Sequence, residues 1–186
     1  MAETGLKALS GGKALVFARL LEDEAKRKGI KVAYQTTYSY KTSRDKKTED
    51  TKDGSVSKGG STDGTLSLEI LASNQDILDM LDDANEQNKK VEFWIVYTDT
   101  PGSAADTYAA RYMRAGLTSM EEGADSDASL TRKFEANIDG GFAKRGELTL
   151  KLDDASNGTD YNFRDLGVVS SSESSNSATA PKSTSK

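Results

Sequence analysis

Two of the side chains most useful for chemistry are missing from this sequence. Its 186 residues include no cysteine and no histidine. Thiolate nucleophiles, disulfides and cysteine-type zinc sites are therefore excluded, as are imidazole bases, ligands and pH switches. Carboxylates, amines and hydroxyls remain, and their patterns are incomplete. Gly59-Gly-Ser-Thr-Asp-Gly64 has the small residues of a phosphate loop without the Lys-Ser/Thr that should follow. Asp125-Ser-Asp127 begins like a calcium loop, but no bidentate Glu closes a twelve-residue spacing. Asn157-Gly-Thr159 spells a glycosylation acceptor, and with no signal-peptide pattern at Met1–Gly5 it reads as chance. The acidic run Asp79, Asp82, Asp83 and Glu86 reads as the solvated face of a helix rather than a metal site. Paired carboxylates for glycoside hydrolysis would sit among groove-lining aromatics, whereas the aromatic residues here are 7% and fall at core-like positions. No enzyme, cofactor or metal site is expected.

The elements that would have to position any site are mostly strands. Hydrophobic residues make up only 35% of the chain and charged residues 30%, and the apolar deficit is local. Lys41–Gly64 and Ser170–Lys186 hold almost no apolar side chains, so the remainder can bury an ordinary core. Lys13–Leu21 is apolar on both faces apart from Lys13 and Arg19, the pattern of a covered strand. Lys31–Lys41 alternates, with Val32, Tyr34, Tyr38 and Tyr40 on one face.

Thr65–Tyr97 reads as strand, helix, strand, and it is the centre of the predicted domain. Leu66, Leu68 and Ile70 point one way along the first strand. Ile77, Met80, Leu81 and Ala84 form a narrow apolar stripe on a helix over 74–89, capped by Ser73 or Asn74. Val91–Tyr97 is the most apolar strand, and its Trp94 belongs in the core. Thr98–Gly102 reads as a turn around Pro101, and Thr107–Glu122 as a long strand with a bulge or bend at Gly116, although Ala109–Ala115 also fits a helix. Gly123–Ala128 is an acidic turn. Leu130–Ile138 and Glu147–Leu152 then alternate on either side of Asp139-Gly140-Gly141, which has the composition of a hairpin turn.

Lys41–Gly64 sets Lys46, Lys47 and Lys52 against Asp45, Glu49, Asp50 and Asp53, and cannot bury enough area to order itself. On its own it reads more plainly as a disordered surface insertion than as a partner-binding arm. Ser170–Lys186 is serine-rich and expected to be disordered. The net charge of −5 argues against a nucleic-acid-binding surface. The longest apolar run, Ala14–Ala18, is far too short for a bilayer, so a soluble chain, cytoplasmic before any export, is expected. Long strands with exposed edges and no active site fit an assembly subunit, whose neighbours cover those edges.

The order of elements then resembles a known family. A strand at Lys13–Leu21, a strand at Lys31–Lys41, a charged loop containing Thr51-Lys-Asp-Gly54, strand Leu66–Ala72, a helix, strand Val91–Tyr97 and a paired segment around Asp139-Gly-Gly141 are similar to the major tail (tail tube) proteins of long-tailed phages of Gram-positive bacteria. The resemblance covers Thr4–Leu152. It implies an all-β fold with one helix, a β-sandwich or partial barrel, over residues 1–152. A long hairpin loop at 41–64, a C-terminal arm at 153–169 and a tail at 170–186 complete the division. Six subunits would close a ring, and stacked rings would form a tube for DNA in the virion, assembled in the host cytoplasm.

About four strands per subunit, at ~4.8 Å spacing and ~40° tilt, give a wall of about 24 strands and a perimeter near ~150 Å. That is wide enough for duplex DNA to pass without specific binding. By resemblance the partners are further copies of the chain, a tape measure protein and the tail terminator and distal tail proteins, with no membrane. The resemblance makes the 41–64 loop an inter-subunit contact through Lys46, Lys47, Glu49, Asp50, Lys52 and Asp53. The lumen-facing side chains are expected among Glu69, Lys133, Glu135, Glu147 and Lys151. The rival readings are a secretion-system or contractile-particle tube protein, and a soluble β-sandwich binding module.

Overall fold

The computed structural model describes residues 8–32, 34–72, 76–124 and 129–150. The cap at Ser73 or Asn74, the acidic residues Asp125 and Asp127, Lys151 and the segments 153–169 and 170–186 lie outside them.

One sheet organises the described chain. Its strands are β1 (Ala14–Leu20), β2 (Ile30–Lys31), β3 (Gln35–Thr51), β4 (Gly54–Leu71), β5 (Lys90–Pro101), β6 (Thr107–Gly123), β7 (Thr131–Ile138) and β8 (Lys144–Thr149). They run in the order β2-β1-β5-β6-β7-β4-β3, with β8 also on β6 and every pair antiparallel. The path has two ends, β2 and β3, so the sheet is curled but not closed into a barrel. The expected all-β architecture with one helix is what forms.

Alternation along the strands builds two cores on opposite faces. On the concave face lie Val16, Ala18, Phe93, Ile95, Met113, Ala115, Phe134, Ala136, Leu66, Leu68 and Ile70. The helix α1 (Asp76–Glu86) covers them with Ile77, Leu78, Leu81 and Ala84. The predicted stripe is shifted by one side chain: Leu78 is buried where Met80 was expected, and Met80 packs only at the margin. The helix is also shorter than expected, and Asn88 in a left-handed conformation (φ 51°) marks where the chain turns away. The other face carries Phe17, Trp94, Val96, Ala110, Tyr112, Leu148 and Leu150. Trp94 is fully buried there, as its sequence context requires.

Four expectations are corrected. The strand expected at Lys31–Lys41 is two strands: β2 pairs with β1, β3 pairs with β4, and Tyr34 in a left-handed conformation (φ 53°) carries the chain between them. Lys41–Gly64 is not a loop or a disordered insertion. It is the outer part of the β3–β4 hairpin, laddered from Gln35↔Ile70 to Thr51↔Gly54, because main-chain pairing needs no apolar side chains. The turn expected at Thr98–Gly102 falls later, since β5 runs on through Pro101; Gly102 N–H donates to the Thr107 carbonyl at 2.7 Å.

Asp139-Gly140-Gly141 makes no hairpin. Strands β7 and β8 do not pair with each other; they lie in succession along one edge of β6, opposite Gly123–Ala115 and Tyr112–Thr107. Residues 139–143 are therefore a kink within one line of strand. Gly140 and Gly141 take positive φ (74° and 75°) there, and a Cβ on Gly141 would stand 1.9 Å from the Thr62 carbonyl oxygen. Left-handed glycines suit such a kink as well as a reversal, which is why composition alone suggested the wrong one.

Candidate assembly surfaces

The β3–β4 hairpin changes character along its length. Its inner half is held on both sides, with β4 also paired to β7 from Thr65↔Asn137 to Leu71↔Thr131. The Tyr40 hydroxyl accepts a bond from the Ala143 N–H at 2.9 Å, and the Arg111 guanidinium lies 5.1 Å over the Tyr40 ring. Beyond Thr62 the two strands have only each other among the described residues. There the described side chains are almost all exposed, including Lys46, Glu49, Asp50, Lys52 and Asp53. Lys47 shares this stretch of backbone, opposite Lys58. Glu49 pairs with Lys58, and Asp50 accepts from the Ser55 hydroxyl. An isolated two-stranded ribbon is marginal in water. The structure thus brings all six predicted loop residues onto one projecting arm.

Three of the five residues expected in the lumen also come together. Glu69, Lys133 and Glu135 share the polar face of the sheet, opposite Leu68, Phe134 and Ala136 in the core. Their rows continue across strands: Thr37–Glu69–Lys133–Glu121 and Ser39–Ser67–Glu135–Ser119. The result is a four-strand wall, β3-β4-β7-β6, whose side chains alternate in charge or are small and polar. Lys133, Glu135 and Glu121 are exposed, and Glu69 is half-buried.

Glu147 does not join them. It alternates with Leu148, which lies in the second core, so it faces the other way. Its carboxylate accepts from the Ser103 N–H and hydroxyl, both at 2.7 Å. Those two bonds, the main-chain one first, hold its pKa below the usual carboxylate range. Its task here is to tie down the β5–β6 turn.

The second face holds charged residues that sequence reading did not connect. Arg19 and Glu92 are paired in register on β1 and β5, and both are almost fully buried. The Arg19 Nε and Nη2 donate to Glu92 Oε2 at 2.9 and 2.7 Å. Tyr112 Oη donates to Glu92 Oε1 at 2.6 Å, and Arg114 Nε donates to Tyr112 Oη at 2.8 Å. Burial first, then the bond to Glu92, pushes the Tyr112 pKa up, so it stays a phenol and a donor. Arg19 Nη1 also donates to the carbonyls of Arg27 (2.9 Å) and Glu24 (3.3 Å), and its guanidinium lies 5.2 Å from the Trp94 ring. A buried pair this well bonded fixes register and loop position more than it adds stability. Its only trace in the sequence is one charge in each of two apolar strands.

Arg132 links helix to sheet, with Nη1 on Asp82 Oδ2 at 2.6 Å and Nε on Glu122 Oε2 at 2.7 Å. Among the described residues no group of three or more acidic side chains could hold a metal ion, and no helix is long and apolar enough to cross a membrane.

Comparisons with known proteins agree with this geometry. The family model for phage tail tube proteins matches residues 9–144. A protein of Staphylococcus phage phiMR25, described as a tail protein, is 30% identical over 123 residues, or 64% of this chain. The chain spans 63% of that relative's length. Among solved structures, the SPP1 tail tube has the same fold, with a TM-score of 0.68 at 17% identity over 86% of this chain and 93% of that one. The tail of a gene transfer agent particle follows, with a TM-score of 0.56 at 11% identity over 72% and 96%. With the family model covering well over half of its residues, the chain belongs to the phage tail tube protein family.

Proposed function

We propose that the chain is a structural subunit, not a catalyst, whose copies close into rings and stack into the phage tail tube that carries DNA into the host. The observation that carries this reading is the β3–β4 ribbon, a long polar hairpin with no intramolecular cover among the described residues beyond Thr62. A neighbouring subunit supplies that cover, and Lys46, Lys47, Glu49, Asp50, Lys52 and Asp53 meet charges of opposite sign there. The two unclosed ends of the sheet favour the same reading, because a ring of copies satisfies edges that one copy leaves open. A sixfold ring is supported by the gene transfer agent tail, which was solved with C6 symmetry.

The polar wall supplies the bore. It crosses four strands, the number a ring of about 24 strands needs from each of six subunits. Glu69, Lys133 and Glu135, with Glu121, give a mixed surface with an acidic excess. Such a wall repels phosphate instead of binding it, as a conduit must. Glu147 is left out of this wall by its orientation. The bore would hold a tape measure protein during assembly, and the tube's ends would meet the tail terminator and distal tail proteins.

Negative-stain microscopy of the concentrated protein tests the reading. Rings or tubes are expected; a protein that stays monomeric at high concentration overturns it. Replacing Glu69 and Glu135 by Lys should leave tubes intact and impair DNA ejection from phage carrying the variant. Normal ejection would remove this face from the bore.

A further inference from the structure

One side chain in the ribbon does not belong to its chemistry. Val56 is the single apolar residue between Lys41 and Gly64, and it is 51% exposed, opposite Glu49 near the tip. An aliphatic side chain held out on an otherwise polar arm gains nothing from its own fold. Seated in a cleft of another molecule, it would lose that exposed apolar surface to water-free contact.

A receptor of matching character exists elsewhere on the subunit. Where the sheet fails to close, with β1 and β2 on one side and β3 on the other, a cleft of about 290 Å³ remains. Its walls include Gly12 and Leu15 on one side and Gln35, Thr37 and Tyr38 on the other, with the exposed Lys31 among them. The floor is pre-formed. Gln35 Oε1 accepts from the Val16 N–H and Gln35 Nε2 donates to the Val32 carbonyl, both at 3.1 Å. One side-chain amide thereby ties β1 to the start of β3. The cleft carries a cation, whereas the ribbon tip presents Val56 beside Glu49, with Asp53 in the turn that follows.

On these grounds, and resting on the reading of the ribbon as an inter-subunit arm, we infer that the tip of one copy seats Val56 in the Gln35 cleft of a neighbouring copy, with Lys31 facing Asp53 of the turn. The occupant is a second copy of this chain. The seat lies at the sheet's open seam, so docking covers the seam and the arm together.

The absence of cysteine makes the test clean. A Val56→Cys, Thr37→Cys variant is assembled and oxidised, because a disulfide forms only when the two Cβ atoms come within about 4.5 Å. A ladder of covalent multimers on a non-reducing gel is expected, with no ladder from either single variant or from Val56→Cys paired with Asp79→Cys. Both substituted positions are exposed, so the fold is spared. A second variant, Val56→Asp, should raise the concentration needed for tube formation at least tenfold. Tubes that form without a ladder, or a Val56→Asp protein that assembles as well as the parent, overturn the seat while leaving the tube reading standing. A parent protein that forms no tubes at all removes both.

Discussion

The two halves of the β3–β4 hairpin are made from the same two strands and held by different physics. The inner half, up to Thr65, is fixed by side chains: Leu66, Leu68 and Ile70 enter the core, Tyr38 and Tyr40 pack beside them, and β7 pairs along the free edge. The outer half has the ladder and a few exposed polar side-chain pairs, with no apolar burial among its described residues. The contrast separates forming a strand from stabilising one. Backbone pairing sets the geometry of the ribbon, and apolar burial sets which parts of the chain resist unfolding. Substitutions in the two regions should therefore register in different measurements.

The largest effect on stability is expected in the body. Arg19→Met leaves Glu92 buried without its partner and should cost about 3–5 kcal/mol in denaturant unfolding, whereas Arg19→Met with Glu92→Leu should recover most of it. A double variant as unstable as the single would mean that the network does more than pair charges. At the junction of the two halves, Gly141→Ala combines a positive φ with a clash against Thr62. It should cost roughly 1–3 kcal/mol by thermal melting and misdirect the ribbon, so that assembly suffers more than folding.

Deleting Thr48–Lys58 inverts the comparison. The unfolding free energy should change by less than about 1 kcal/mol, as for other surface changes, while tubes vanish from electron micrographs. Tubes of normal length from this deletion would end the division of labour between the halves.

The smallest effect concerns Glu147. Its pKa is lowered in the fold, so its contribution is present above the ordinary carboxylate range and is lost as pH falls through its folded value. Glu147→Gln should remove that part of the pH dependence: the variant is slightly less stable than the parent at neutral pH, and the difference vanishes in acid, as paired unfolding titrations would show.

The same contrast explains what could be read in the sequence. Strands β1 and β5 and the helix announce themselves through their apolar residues, because burial selects their side chains, whereas the middle of β6 fits a helical pattern as well. The outer ribbon carries no such signal, since its pairing is chiefly main-chain, and so its composition reads as a loop with or without the family resemblance. The kink at Asp139-Gly140-Gly141 was misread for a related reason: positive φ tells that the chain bends, not which strand it pairs with afterwards. Arg19 and Glu92 lie far apart in sequence and meet only through the register of β1 on β5. The polar wall was partly legible, because alternation put Glu69, Lys133 and Glu135 opposite apolar neighbours. Glu147 obeys the same alternation and faces the other way, because Leu148 serves the other core.

The main-chain ladder of the ribbon has a consequence for how such proteins diverge. Side chains with no folding duty can drift freely, provided the surface they meet drifts with them. If the arm docks on a neighbouring copy as proposed, two lineages can keep one fold while rewriting both surfaces until their subunits no longer mix. A cell producing two tail proteins at once would then sort them into separate tubes without any other device.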